Sequence, residues 1–140
     1  MIRLEQNVIR HDLRGLGHFG ASRKRVRDGQ IVKRLHAGVD LLCLPGLPIY
    51  ATRRLTFERI ARPYKYGHLS GGLWRDDAGN RVKIFYCRPL DTSTVFYPGD
   101  IIARCQNCAG DNKKMMPHVH VQVYNKDQIL IDPVNEIEVN

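Results

Sequence analysis

Two histidines stand one residue apart in Pro117-His118-Val119-His120-Val121-Gln122-Val123, inside a run of valines. Valine at every second position is the pattern of a β-strand, whose side chains alternate between two faces. His118 and His120 therefore project side by side, while Val119, Val121 and Val123 turn toward a core. Two imidazoles on one face can hold a metal together, or one can hold it while the other moves a proton. Taken alone, the same pair would equally suit a half-exposed strand with two surface histidines.

A second group stands far upstream, in His36-Ala37-Gly38-Val39-Asp40. On a helix, residues four apart share a face. Here Gly38 interrupts, and the Leu-rich run that follows stops at Pro45-Gly46. On a straight strand His36 and Asp40 would sit roughly 13 Å apart. A bend at Ala37-Gly38 is required, with His36 on a loop and Asp40 at the start of a strand; glycine permits such a bend. His36, Asp40 and one histidine of the His118/His120 pair then supply two imidazoles and a carboxylate. That set suits Zn²⁺ with a fourth position open to water. Zinc in such a site lowers the pKa of water toward neutrality and polarises a carbonyl. The remaining histidine is placed to shuttle a proton.

The elements that must position these residues read as strands. Leu41–Leu44, Leu47–Ala51, Leu55–Ile60, Ile101–Ala103 and Ile129–Ile131 are short apolar or alternating runs between Gly, Pro and Asn/Asp turns. Gly71–Arg75 and Arg81–Cys87 form a hairpin around Asp76-Asp77-Ala78-Gly79-Asn80. Twelve glycines and seven prolines are spread through 140 residues, and helix-forming runs are scarce. The expectation is a mainly β, single-domain fold with antiparallel sheets over residues 1–140. Gly15-Leu16-Gly17-His18-Phe19-Gly20 marks a turn or a close backbone approach. Residues 21–35, with a turn at Asp28-Gly29, read as an exposed basic loop.

The formal charge is +8, and much of the excess lies in Arg23, Lys24, Arg25, Arg27, Lys33 and Arg34. Such a balance suits polyanions. No nucleic-acid module accompanies it and aromatic residues are not interleaved with the basic ones, so nucleic acid is not an expected partner. No apolar run approaches the ~20 residues of a membrane span, and the first residues lack the apolar core of a secretory signal. If the protein works in a periplasm or cell wall, in a phage particle or as a secreted effector, the expectation is that something else carries it there or that a signal has been removed.

Cys105-Gln106-Asn107-Cys108 has the spacing of half a zinc ribbon or a redox pair. There is no second Cys-x-x-Cys and no thioredoxin-like βαβ context. The two are read as a loop pair, free or locally disulfide-bonded, and Cys43 and Cys87 as small core residues.

With these residues in place the chain resembles the lysostaphin/LytM-type zinc endopeptidases. His36-Ala37-Gly38-Val39-Asp40 resembles the family's His-x-Gly-x-Asp, and His118-Val119-His120 its final His-x-His. The segments 17–23, 46–51 and 132–133 resemble further parts of it, so the likeness covers about residues 15–134. The resemblance implies zinc held by His36, Asp40 and His120, and catalytic help from His118. It implies an antiparallel β fold and cleavage of peptide bonds in bacterial peptidoglycan. Active members carry a second helper histidine in Tyr-x-His-Leu. Here Tyr86-Cys87-Arg88-Pro89-Leu90 puts Arg88 in that place. Arginine cannot take up a proton near neutrality, but it can stabilise an oxyanion. This stretch is similar to the leukocyte-chemotaxin branch of the fold, which implies an alternative: a degenerate zinc-containing module that binds wall polymer or a protein partner.

Overall fold

Short alternating runs between tight turns leave no room for long helices, and the computed structural model is built from strands. It describes residues 1–6, 8–12, 15–110 and 115–139. In chain order the strands are β1 (Ile2–Leu4), β2 (His11–Asp12), β3 (Gly15–Leu16), β4 (Ser22–Arg27), β5 (Gln30–Leu35), β6 (Val39–Leu42), β7 (Pro48–Ala51) and β8 (Leu55–Ile60). They continue with β9 (Gly71–Asp76), β10 (Arg81–Phe85), β11 (Cys87–Pro89), β12 (Val95–Phe96), β13 (Ile101–Cys105), β14 (His118–Tyr124), β15 (Leu130–Ile131) and β16 (Ile137–Val139). A 3-10 turn, Pro133–Glu136, precedes β16.

The larger sheet runs β12-β8-β9-β10-β14-β15, with β6 also paired to β14; the smaller runs β11-β13-β7-β1-β16. Every pairing is antiparallel except that of β1 with β16. Strand β14 lies between β10 on one side and β6 and β15 on the other. Its Val119, Val121 and Val123 are buried, together with Val82 and Ile84 of β10 and Val39 and Leu41 of β6. A one-residue slip of β14 would turn three valines outward, at about 1.5 kcal/mol or more each. The core therefore dictates which face His118 and His120 present.

Three features differ from the sequence expectation or extend it. The basic segment is not a loop but a two-stranded ribbon, β4 against β5, closed by Asp28 and Gly29, both at positive φ. That two-residue Asp-Gly turn matches the twist of a hairpin. The ribbon escapes a reading by apolar alternation because Arg and Lys interrupt its apolar residues, Val26, Ile31, Val32 and Leu35.

The second feature is a disulfide between Cys43, just past β6, and Cys105 on β13. It ties the two sheets together and overturns the expected Cys105–Cys108 loop pair. Cys105 lies on a strand with its side chain in the core, whereas Cys108, beyond the strand end, is partly exposed. Cys87 is a buried free thiol.

The third is Tyr86. The chain leaves the larger sheet at Phe85 and enters the smaller one at Cys87. Tyr86 makes the change of direction at φ 67°. A left-handed conformation in a bulky residue costs about 1–3 kcal/mol. Its amide donates to the Ser70 carbonyl (2.8 Å), and its carbonyl accepts from the Gln106 amide (2.9 Å).

Candidate metal centre and cleft

The register of β6 on β14 places Asp40 directly opposite His120. Opposite residues of an antiparallel pair share a face. His36 reaches the same place because only His36, Ala37 and Gly38 separate β5 from β6. Gly38 is needed for space: a side chain there would run into the Val121 carbonyl of β14, and its φ is not in the left-handed region. Residues 17–21 brace the bend. The Asp40 amide donates to Gly17 O (2.8 Å), the Gly20 amide to His36 O (2.9 Å) and the His36 amide to Ala21 O (2.7 Å).

Ligand-type atoms of His36, Asp40 and His120 all lie within 4.8 Å of one another, the one such trio among the described residues. His36 Nε2 is 3.1 Å from His120 Nδ1 and 3.3 Å from Asp40 Oδ1; His120 Nδ1 is 2.9 Å from the same oxygen. The outer nitrogens settle the tautomers. His36 Nδ1 lies 2.9 Å from the carbonyl of His18, and His120 Nε2 lies 2.8 Å from Gln122 Oε1. The Gln122 amide in turn donates to the Tyr124 hydroxyl (2.8 Å). Each ring thus donates its proton outward and turns a lone pair inward. Two inward lone pairs facing at 3.1 Å, beside a carboxylate, suit a cation between them. This donor set, two imidazole nitrogens and one carboxylate oxygen, fits zinc.

Burial alone would raise the Asp40 pKa. When the two rings carry a second, inward proton, hydrogen bonds from His120 and His36 and their charge outweigh it and hold the carboxyl well below the usual range; a bound cation would take the place of those inward protons. Arg10 Nε and Arg23 NH2 approach the other carboxylate oxygen at 3.9 and 3.7 Å.

His118 lies two residues back on the same face, as the strand period requires. It is buried, with Nδ1 2.8 Å from the Met116 carbonyl, so Nε2 is the nitrogen that carries the lone pair. Arg10 NH1 is 3.5 Å from that Nε2. The Tyr86 ring meets His118 edge-on at 5.3 Å, and Phe85 stacks on His120 at 5.6 Å. The Tyr86 hydroxyl sits 3.1 Å from that of Tyr64. Burial, then that hydrogen bond, push its pKa far up, so it stays a neutral donor. These groups line a cleft of about 410 Å³, together with Arg23, Arg34 and Cys108.

Arg88 is not brought to the site. On β11 the alternation buries Cys87 and turns Arg88 to solvent, opposite Arg104 of β13. The cationic group beside His118 is Arg10, which sequence reasoning missed because residues 8–12 carry no motif. Gln122 was missed too, although its place two residues after His120 on the same face was a usable signal. His68 is exposed and is not among the cleft-lining residues.

An all-β fold of two joined sheets around a candidate His–Asp–His metal site is the architecture of the lysostaphin-type zinc peptidases. Comparison with solved structures bears out that fold. A zinc containing peptidase from Vibrio cholerae superposes with a TM-score of 0.61 at 17% identity, over 94% of this chain and 38% of that one. The catalytic domain of the antimicrobial peptidase lysostaphin from Staphylococcus simulans gives 0.56 at 19% identity, over 87% of this chain and 89% of that one. By sequence the chain is similar to myeloid protein 1 of Gallus gallus, 26% identical across 91% of this chain and 36% of the relative. It is also similar to leukocyte cell-derived chemotaxin-2 of Mus musculus, 27% identical across 79% of this chain and 69% of the relative. The chain thus spans about a third of the length of the Gallus gallus relative. No family model matches it.

Proposed function

We propose that this chain is a zinc metallo-endopeptidase that hydrolyses peptide bonds in bacterial peptidoglycan. The observation that carries this reading is the meeting of the inward lone pairs of His36 and His120 with the Asp40 carboxylate, on the floor of a cleft that also holds His118. His36, Asp40 and His120 would hold the ion. When bound, zinc supplies polarisation of a carbonyl and a lowered pKa for water.

The remaining work falls to side chains of the cleft. His118, its Nδ1–H held by the Met116 carbonyl, offers Nε2 as the base that accepts a proton and returns it to the departing amine. Arg10 presents a fixed positive charge beside that nitrogen, available to the oxygen of the attacked carbonyl, where negative charge develops. The neutral Tyr86 hydroxyl is a further donor. The net charge of +8 favours a carboxyl-rich wall polymer.

The test is incubation of zinc-loaded protein with purified peptidoglycan and a count of new amine ends. Release is expected, stopped by chelator and lowered about 10²–10⁴-fold in His118→Ala. No amine ends in any sample would overturn the reading. Release that survives His118→Ala would remove the role given to that residue.

A second reading has its own observation. The position where active members of the resembling family keep a helper histidine is the solvent-facing Arg88, so among the described lining residues His118 is the one imidazole of the cleft outside the ligand trio. A zinc-loaded protein that sediments with peptidoglycan without cutting it would be a binding module.

A further inference from the structure

Three arginines line the cleft, Arg10, Arg23 and Arg34, and Asp40 is the one acidic residue among its described lining residues. Asp40 is already shared between two imidazoles, Arg10 and Arg23. Arg34 is exposed and has no ion pair among the described residues. It stands directly opposite Arg23 in the register of β4 on β5. Facing like charges destabilise a ribbon, yet Lys24 and Lys33 repeat the arrangement at the next pair. Neither strand carries an acidic residue to relieve it; Asp28 lies in the turn. The ribbon therefore keeps positive charge at the cleft mouth with nothing of its own to neutralise it.

A planar guanidinium binds a carboxylate through two parallel N–H···O bonds. In a peptide, a carboxylate is the anion on offer. The position is also tied to the chemistry: β5 ends at Leu35, and the next residue is His36. Resting on the peptidase reading, we infer that Arg23 and Arg34 form a carboxylate-binding subsite at the mouth of the cleft. The preferred peptide then carries a free carboxylate beside the bond presented to His118. A run of glycines without a chain end lacks this handle.

The experiment measures binding rather than cleavage. Zinc-loaded His118→Ala protein is titrated by calorimetry with two synthetic peptides, acetylated and amidated at their ends, that differ in one group, a glutamate carboxylate or its carboxamide, and with an oligoglycine capped in the same way. The carboxylate peptide is expected to bind at least tenfold tighter than the carboxamide at low salt. Adding Arg34→Gln removes most of that preference without changing oligoglycine binding, circular dichroism or zinc content. Arg34→Lys restores part of it, because an ammonium lacks the fork geometry. No preference between the two peptides, whether both bind or neither does, overturns the inference. So does a preference that survives Arg34→Gln, and so does inorganic phosphate that displaces the carboxylate peptide at lower concentration than free glutamate does. A protein that discriminates but never cuts defeats the hydrolase reading alone; one that cuts both peptides equally defeats only the subsite.

Discussion

At the cleft floor the Asp40 carboxylate is ringed by His36, His120, Arg10 and Arg23; on the adjoining ribbon Arg23 faces Arg34 and Lys24 faces Lys33. The two places obey different electrostatics. The floor is buried, so a charge there must be matched or it costs several kcal/mol. The ribbon is washed by solvent, where salt screens charges over about 8–10 Å. Facing lysines there cost well under 1–2 kcal/mol and can stay ready for a partner. Burial forces the floor into one arrangement, whereas exposure lets the rim hold an imbalance.

The strongest way to break this contrast is to empty the floor. Asp40→Ala leaves Arg10, Arg23 and two imidazoles without their carboxylate. Stoichiometric zinc is expected to be lost, with a stability loss of about 3–5 kcal/mol in the metal-free protein at pH 7. Metal analysis and urea unfolding check this. The folded-state pKa of Asp40 is depressed. Its contribution is therefore present above the unfolded value of about 3.9 and fades as pH falls toward the folded value. The gap between metal-free wild type and Asp40→Ala should shrink below about pH 4.

A smaller effect tests how far the floor depends on the sheets beneath it. Cys43 follows the strand that carries Asp40, and its bond to Cys105 closes a sequence separation of 62. Replacing both cysteines by alanine should cost about 2–4 kcal/mol. Zinc stoichiometry should survive at temperatures well below the lowered Tm. Loss of zinc while the fold persists would mean that the staple itself shapes the site.

Gln122→Ala removes the acceptor that holds the His120 tautomer. Zinc affinity should fall about 10–100-fold, read by competition with a chromophoric chelator. The smallest effect is expected at the rim. Lys33→Glu replaces a facing like-charge pair with an opposite one, and should raise stability by about 0.2–1 kcal/mol at low salt. A comparable gain in 1 M salt would show that charge is not the cause.

Much of the site could be read from local pattern. His118 and His120 share a face because a strand repeats every two residues, and the alternating valines set which face that is. His36 and Asp40 meet across a bend at Gly38, although the glycine serves close packing on Val121 and not the backbone freedom expected of it. Arg88 faces solvent, outside the cleft lining, for a definite reason. A position in a motif does not say which face its strand will show, and Tyr86 at φ 67° resets the alternation just before it. The ribbon was read as a loop because Arg and Lys interrupt its apolar residues, Val26, Ile31, Val32 and Leu35, and leave no clean alternation to detect.

What the chain determined by itself is local: the strand period, the turn at Asp28-Gly29, the pairing of two imidazoles on one face, and the excess of positive charge. What tertiary structure alone decided is the pairing of Asp40 with His120 across 80 residues, the joining of Cys43 to Cys105, and the delivery of Arg10 in place of Arg88. Backbone geometry propagates for a few residues along the chain. Contacts between distant segments follow from how two sheets bury their apolar faces together, and that is a property of the assembled core.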